Sequence, residues 1–165
     1  MPIELVDSWP LDDVLDLKKF AKGLIERAKE NLQPDGYLQS GVFLVTNSEV
    51  HCYSVCFSGY EQKESAYGEA VQKARELGAL AIVTLNDAFI GDKYAPENYE
   101  WGQAAADPKG ECIFVTLSGP GLENWTIEVE YRREPGGLVF SPPTEEEKSF
   151  IGLLGDWSKK GQRVN

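Results

Sequence analysis

Residues 79–85, Ala79-Leu80-Ala81-Ile82-Val83-Thr84-Leu85, are apolar at every position except Thr84. A run that short and continuous reads as a strand covered on both faces, the kind that sits in the middle of a sheet. Upstream of it, Ala66, Tyr67, Ala70, Val71, Ala74 and Leu77 recur at three- and four-residue spacing, as the buried face of an amphipathic helix does. Gly78 is a natural stop for that helix, and Ser58 with Glu61 three residues on has the capping-box pattern at its start. Further back, residues 42–46 and 50–57 are rich in β-branched and aromatic side chains and are separated by Asn47, Ser48 and Glu49, which predicts a tight hairpin. Alternation along the second of these strands puts His51, Tyr53, Val55 and Phe57 on one face and Cys52, Ser54 and Cys56 on the other.

Before the hairpin, Leu11, Val14, Leu15, Leu17, Phe20, Ala21, Leu24, Ile25, Ala28 and Leu32 keep helical spacing, predicting a helix over about residues 10–32. Pro10 suits its first turn, and Pro34, Asp35 and Gly36 stop it. Beyond the central strand, residues 112–117 and 125–133 read as strands of an antiparallel meander, and Pro135, Gly136 and Gly137 turn it into a short strand at 138–141. Pro142 and Pro143 break the meander. Thr144 with Glu147 repeats the capping-box pattern and predicts a short helix to about Leu154, with residues 155–165 as a flexible tail. The expectation is one α+β domain over residues 1–154, with two main helices covering one face of an antiparallel five- to six-stranded sheet, and a short C-terminal helix. At 165 residues the chain can bury a core without disulfides or metals.

That layout resembles roadblock-type and profilin-like domains, which place two long helices on a five-stranded antiparallel sheet. A second resemblance rests on residues. Phe43 and Leu44 precede a turn, Phe57 precedes the helix of Lys63 and Glu64, Gly78-Ala79 enters the buried strand, and Asp107-Pro108 and Glu111 open the next. Over roughly residues 41–133 this pattern is similar to a family of small uncharacterised bacterial and phage proteins. The resemblance implies the order of elements and no activity.

Sixteen Lys and Arg stand against 27 Asp and Glu, a net charge of −11. Such a field repels phosphate backbones, which need a cationic stripe for counterion release, so nucleic acid is not an expected partner. The longest apolar run is far below the ~18 residues a membrane helix requires, so no membrane contact is expected either. The first sixteen residues carry five acids and no cation, unlike a secretory signal, and the odd number of cysteines (Cys52, Cys56, Cys112) fits reduced thiols. The expected location is cytoplasmic.

No catalytic or cofactor signature rises above background. Cys52 and Cys56 on one strand stand about 13 Å apart at ~3.3 Å per residue, and His51 faces away from both, so they do not make a zinc site. Any Ser-His-Asp or Cys-His chemistry must run through the single histidine, His51, whose place in a strand is unlike a nucleophile elbow. The Ser118-Gly119-Pro120-Gly121 stretch lacks the lysine and the free N–H groups of a phosphate loop. Residues 86–111 form the longest stretch without periodicity, predicting a long loop. It carries acids, of which Asp87 and Asp92 come just after the buried strand, and the aromatics Phe89, Tyr94, Tyr99 and Trp101. Aromatics in a polar loop are anchors for a partner or cover for the core.

These features point to a non-enzymatic cytoplasmic interaction module that binds a second copy or another protein, without a cofactor, through sheet edges, a helix face or Phe89, Tyr94, Tyr99 and Trp101. The competing expectation is a small hydrolase or transferase that holds a divalent metal with Asp87, Asp92 and neighbouring acids, since oxygen ligands suit magnesium or calcium.

Overall fold

The computed structural model describes residues 3–10, 17–32, 36, 38–56, 60–90, 110–122 and 124–148. Through them the chain runs β1 (Ile3–Pro10), α1 (Leu17–Asn31), β2 (Gly41–Val45), β3 (Glu49–Val55), α2 (Tyr60–Leu77), β4 (Ala81–Ile90), β5 (Gly110–Ser118), β6 (Asn124–Glu134), β7 (Gly137–Phe140) and β8 (Thr144–Lys148). The strands form one sheet in the order β1-β3-β2-β4-β5-β6-β7, with β8 also on β6. Every pairing is antiparallel. The fold is thus α+β with two helices on an antiparallel sheet.

The buried central strand forms, though it begins at Ala81 rather than Ala79 and Leu80 is exposed; Ser58, the expected cap of α2, lies outside the described residues. β4 has three strand positions on either side, and Ala81, Ile82, Val83, Thr84, Leu85 and Asn86 are all buried. At the end of α2, the Ala79 N–H donates to the Ala74 carbonyl (2.8 Å) and the Gly78 N–H to the Arg75 carbonyl (3.2 Å). Gly78 takes φ +65°, the left-handed position that glycine adopts without a Cβ penalty. In the β2–β3 hairpin, the Thr46 hydroxyl oxygen accepts from the Ser48 and Glu49 N–H groups at 3.3 and 3.0 Å, which closes the turn.

The helices lie on opposite faces, not on one as expected. Phe43 and Val45 pack with Ala21, Leu24, Ile25 and Ala28 of α1, whereas Val42 and Leu44 pack with Ala66, Tyr67, Ala70 and Ala74 of α2. Consecutive residues of a strand point to opposite faces, so the two clusters sit on either side of β2. The topology explains this. α1 links β1 to the parallel β2 across β3, and α2 links β3 to the parallel β4 across β2. Both crossovers step the same way along the sheet but start from antiparallel strands, so crossovers of one hand place their helices on opposite faces.

The sheet has eight strands rather than five to six, and the excess lies at its edges. Residues 3–10 form β1 instead of leading into a helix from Pro10, and α1 begins at Leu17. β3 offers an unpaired backbone edge that β1 fills, and Ile3 is buried beneath α2 opposite Val55. The helix expected from Thr144 is also absent over its first turn, since residues 144–148 pair as β8 with the outer edge of β6. A capping-box pattern is a local preference, and a ladder of backbone hydrogen bonds overrides it. The expected remainder of that helix and the tail at 155–165 lie outside the described residues. β4 runs through Ile90 and β5 starts at Gly110, so both ends of the long loop predicted at 86–111 are strand.

Candidate functional site

The described surface offers an open strand edge and a polar cluster. Among the described residues β1 pairs on one side only, with β3. Its register slips by one residue between Leu5 and Asp7, and the bulge leaves Leu5 and Val6 53% and 58% exposed. Leu5 pairs with Tyr53 and so lies on the α2 side of the sheet, while Val6 is the extra residue of the bulge. Beside them the Ser8 Oγ lies 3.1 Å from His51 Nδ1, and Glu49 Oε2 lies 3.2 Å from His51 Nε2. This orders a hydroxyl, an imidazole and a carboxylate across β1 and β3. With neutral His51, Ser8 donates to Nδ1 and the Nε2–H donates to Glu49, tying the edge strand to its neighbour.

The second feature lies on the α1 side of the sheet, near the strand ends that lead to residues 91–109. Arg133 donates from Nε and Nη2 to both oxygens of Glu111 (2.8 and 3.1 Å), and its Nη2 also donates to the Gly36 carbonyl (2.7 Å). The Tyr131 hydroxyl donates to Glu111 at 3.3 Å. Asp87, half-buried on β4, accepts from the Leu38 N–H at 3.0 Å. Desolvation pushes the Asp87 carboxyl above its ordinary range, with Glu111 adding to the rise and the Leu38 hydrogen bond and Arg133 opposing it. Burial beside Glu111 and Asp87 raises the Tyr131 phenol, and the hydrogen bond to Glu111 raises the Arg133 guanidinium. These contacts bind the chain just before β2 to β4, β5 and β6. A guanidinium already neutralises the Glu111 carboxylate, so the group works as a latch for the α1–β2 connection.

Of the residues singled out in the sequence, Asp87 belongs to this latch and the Phe89 backbone pairs with Glu111 in β4. Tyr94, Tyr99, Trp101 and Asp92 lie outside the described residues. Among the described residues no group of three or more His, Cys, Asp or Glu is placed to hold a metal ion. Cys52 packs toward α1 while His51 stands opposite Leu44 on the α2 side. Burial, then the Asp7 charge, raises the Cys52 thiol. Leu5, Val6 and Ser8 were missed from sequence. The bulge at Val6 breaks the period-2 signal, and Ser8 meets His51 across 43 positions of chain.

A cavity of about 150 Å³ is lined by Thr126, Glu128, Thr144, Glu145 and Glu146. Its lining is acidic, with two threonine hydroxyls among the carboxylates. Among the described residues no helix is long and apolar enough to cross a membrane. No protein family, curated protein or solved structure matches the chain.

Proposed function

We propose that this protein is a non-enzymatic cytoplasmic interaction module that self-associates, with β1 as the edge that meets a second copy. The observation that carries the reading is the adjacent exposure of Leu5 and Val6 on a strand edge that no other described strand pairs with. An edge presents unpaired N–H and C=O groups, and natural sheets screen them with charge or proline unless a partner covers them. Pro10 stands at the end of β1, so no proline interrupts residues 3–9, and the exposed Leu5–Val6 pair lies between the acids Glu4 and Asp7. A copy related by a two-fold axis presents the same strand in the antiparallel sense, which makes the contact self-complementary. Free thiols at Cys52, Cys56 and Cys112 support a reducing compartment.

Native mass spectrometry and light scattering across a concentration series test the reading. The wild type is expected at a clean multiple of 18.3 kDa, and Val6→Lys is expected to weaken association at least about tenfold, or ~1.4 kcal/mol. Wild-type protein that stays monomeric at its highest soluble concentration overturns it. So does a Val6→Lys variant that associates as the wild type does.

A further inference from the structure

On the side of the sheet where α2 packs, the cluster beneath the helix takes residues from β1, β2, β3 and β4 and none from β5, β6, β7 or β8. Paired residues share a face, so the register places two rows across the other half of that side. One row is Thr84, Thr116, Thr126 and Glu146, and the next is Asn86, Phe114, Glu128 and Thr144. The Thr84 and Thr116 hydroxyls hydrogen-bond to each other. Cys112, Thr116, Ser118 and Thr126 are buried there, at 6%, 7%, 1% and 7% exposure. α2 reaches this half at β4, where the Tyr67 hydroxyl donates to Asn86 at 2.9 Å, and the burial on β5 and β6 calls for cover beyond it.

The half-face is also acidic. Glu128, Glu130 and Glu146 lie on it, with Lys148 at its edge and Arg132, which pairs with Glu134 at 3.1 Å. Burial first, then the charges of Glu128, Glu130 and Asp87, push the Cys112 thiol up to about 12.

The chain leaves β8 at Lys148, which pairs with Asn124 on this edge. The segment beyond is apolar at Phe150, Ile151, Leu153, Leu154 and Trp157, then cationic at Lys159, Lys160 and Arg163, with one acid, Asp156. The other long segment outside the described residues, 91–109, carries four acids against Lys93 and Lys109, so a field of glutamates repels it. Reach is sufficient. From Lys148 to Lys159 the chain spans about 17 Å even at a compact rise of ~1.5 Å per residue, close to the roughly 20 Å that six strand residues take from Asn124 to Glu130.

We propose that the chain's own C-terminal segment, residues 149–165, docks across the β5–β6–β8 half of this face. Its apolar residues cover Phe114, Thr116 and Thr126, and its cations lie against Glu128, Glu130 and Glu146. The sheet is then covered on both ends of its α2 side, by α2 at one and by the C-terminal segment at the other. The contact is independent of the β1 edge.

Hydrogen–deuterium exchange of the full-length protein tests this directly, because an isolated segment this short holds no protected structure in water. Backbone amides of residues 149–157 are expected to exchange at least tenfold more slowly than the same sequence as a free peptide. That protection is expected to fall in high salt and in Lys159→Glu/Lys160→Glu/Arg163→Glu. It is expected to return when Glu128→Lys and Glu130→Lys are added. In a Cys52→Ser/Cys56→Ser background, Leu153→Ser/Leu154→Ser and the tail charge reversal should each speed labelling of Cys112 by a neutral maleimide at least tenfold. The charge reversal alters surface residues, so it keeps the test valid if the leucine variant fails to fold. Unprotected amides at 149–157, an unchanged Cys112 rate in the charge-reversed protein, or no rescue by the swapped charges overturns the proposal.

Discussion

At β1 the register slips by one residue around Val6, and at the far edge it slips by one residue between Phe140 and Thr144, yet the two breaks differ in proline and in apolar exposure. β7 and β8 lie along the same strand of β6, joined by the Ser141 N–H donating to the Glu130 carbonyl at 2.9 Å. The residues that fill that break include Pro142 and Pro143, which have no N–H to donate, and Glu145, Glu146 and Glu147 come next. Proline and charge are the usual screens of an open edge. β1 has no proline at its break and places the exposed apolar pair Leu5 and Val6 there, between the acids Glu4 and Asp7. Both edges are bulged, so the bulge itself does not decide whether an edge is open to a partner. The side chains at the bulge do.

The largest effect expected from this contrast comes from exchanging the two chemistries. In the Val6→Lys background, Pro142→Ser, Pro143→Thr, Glu145→Thr and Glu147→Val give the β7–β8 edge donors and apolar groups. Lys22–Glu145 is lost in the process, but that pair is about half exposed on both sides and is worth little. Association should return, at least about tenfold tighter than in the Val6→Lys parent, or ~1.4 kcal/mol. Light scattering that finds the combined variant as monomeric as its parent sinks the idea that edge chemistry controls assembly.

The contrast also accounts for which elements the sequence disclosed. β4, α2 and the β2–β3 hairpin carry strong local signals, a continuous apolar run, an apolar helical face stopped by Gly78, and a turn flanked by β-branched residues. Their burial and their local preference agree. β1 and β8 exist because β3 and β6 offered free backbone edges far away in sequence, and no window of local sequence contains that information. Thr144 and Glu147 even favour a helix locally. Placement of the helices on opposite faces comes from strand order, which composition does not encode. The candidate site was legible only where it lay on a strong element. Asp87 comes directly after the buried run of β4, while Leu5, Val6 and Ser8 sit on the strand the sequence hides.

A second difference between the edges is how firmly each is fastened to the body. Near β7, Arg133 grips Glu111 with two hydrogen bonds and reaches Gly36, 97 positions away. Glu111 is only 14% exposed at its side chain, so removing the guanidinium leaves a nearly buried carboxylate with the Tyr131 hydroxyl. Arg133→Ala is therefore expected to destabilise the fold by about 2 kcal/mol, below the range for a fully buried pair because Arg133 is itself partly exposed. Denaturant melts that place the loss below about 0.5 kcal/mol would show that the latch holds nothing that packing does not already hold.

β1 has no counterpart to Arg133 among the described residues. Its polar tie is Ser8 Oγ to His51 Nδ1 at 3.1 Å, on an exposed serine, with Glu49 holding the other ring nitrogen at 3.2 Å. At this exposed position water can take the place of the Ser8 hydroxyl at His51 Nδ1, so Ser8→Ala should cost only about 0.5 kcal/mol. The anchorage of β1 then rests on Ile3, buried at 5% beneath α2, and on the backbone ladder to β3. That distribution suits an edge whose outer side receives a partner, because the strand is held from its inner face and its middle residues keep their exposed side chains. A loss above about 1.5 kcal/mol in Ser8→Ala, measured on monomeric Val6→Lys protein to exclude any contribution from assembly, would move the fastening of β1 from its packed end to the Ser8–His51–Glu49 link.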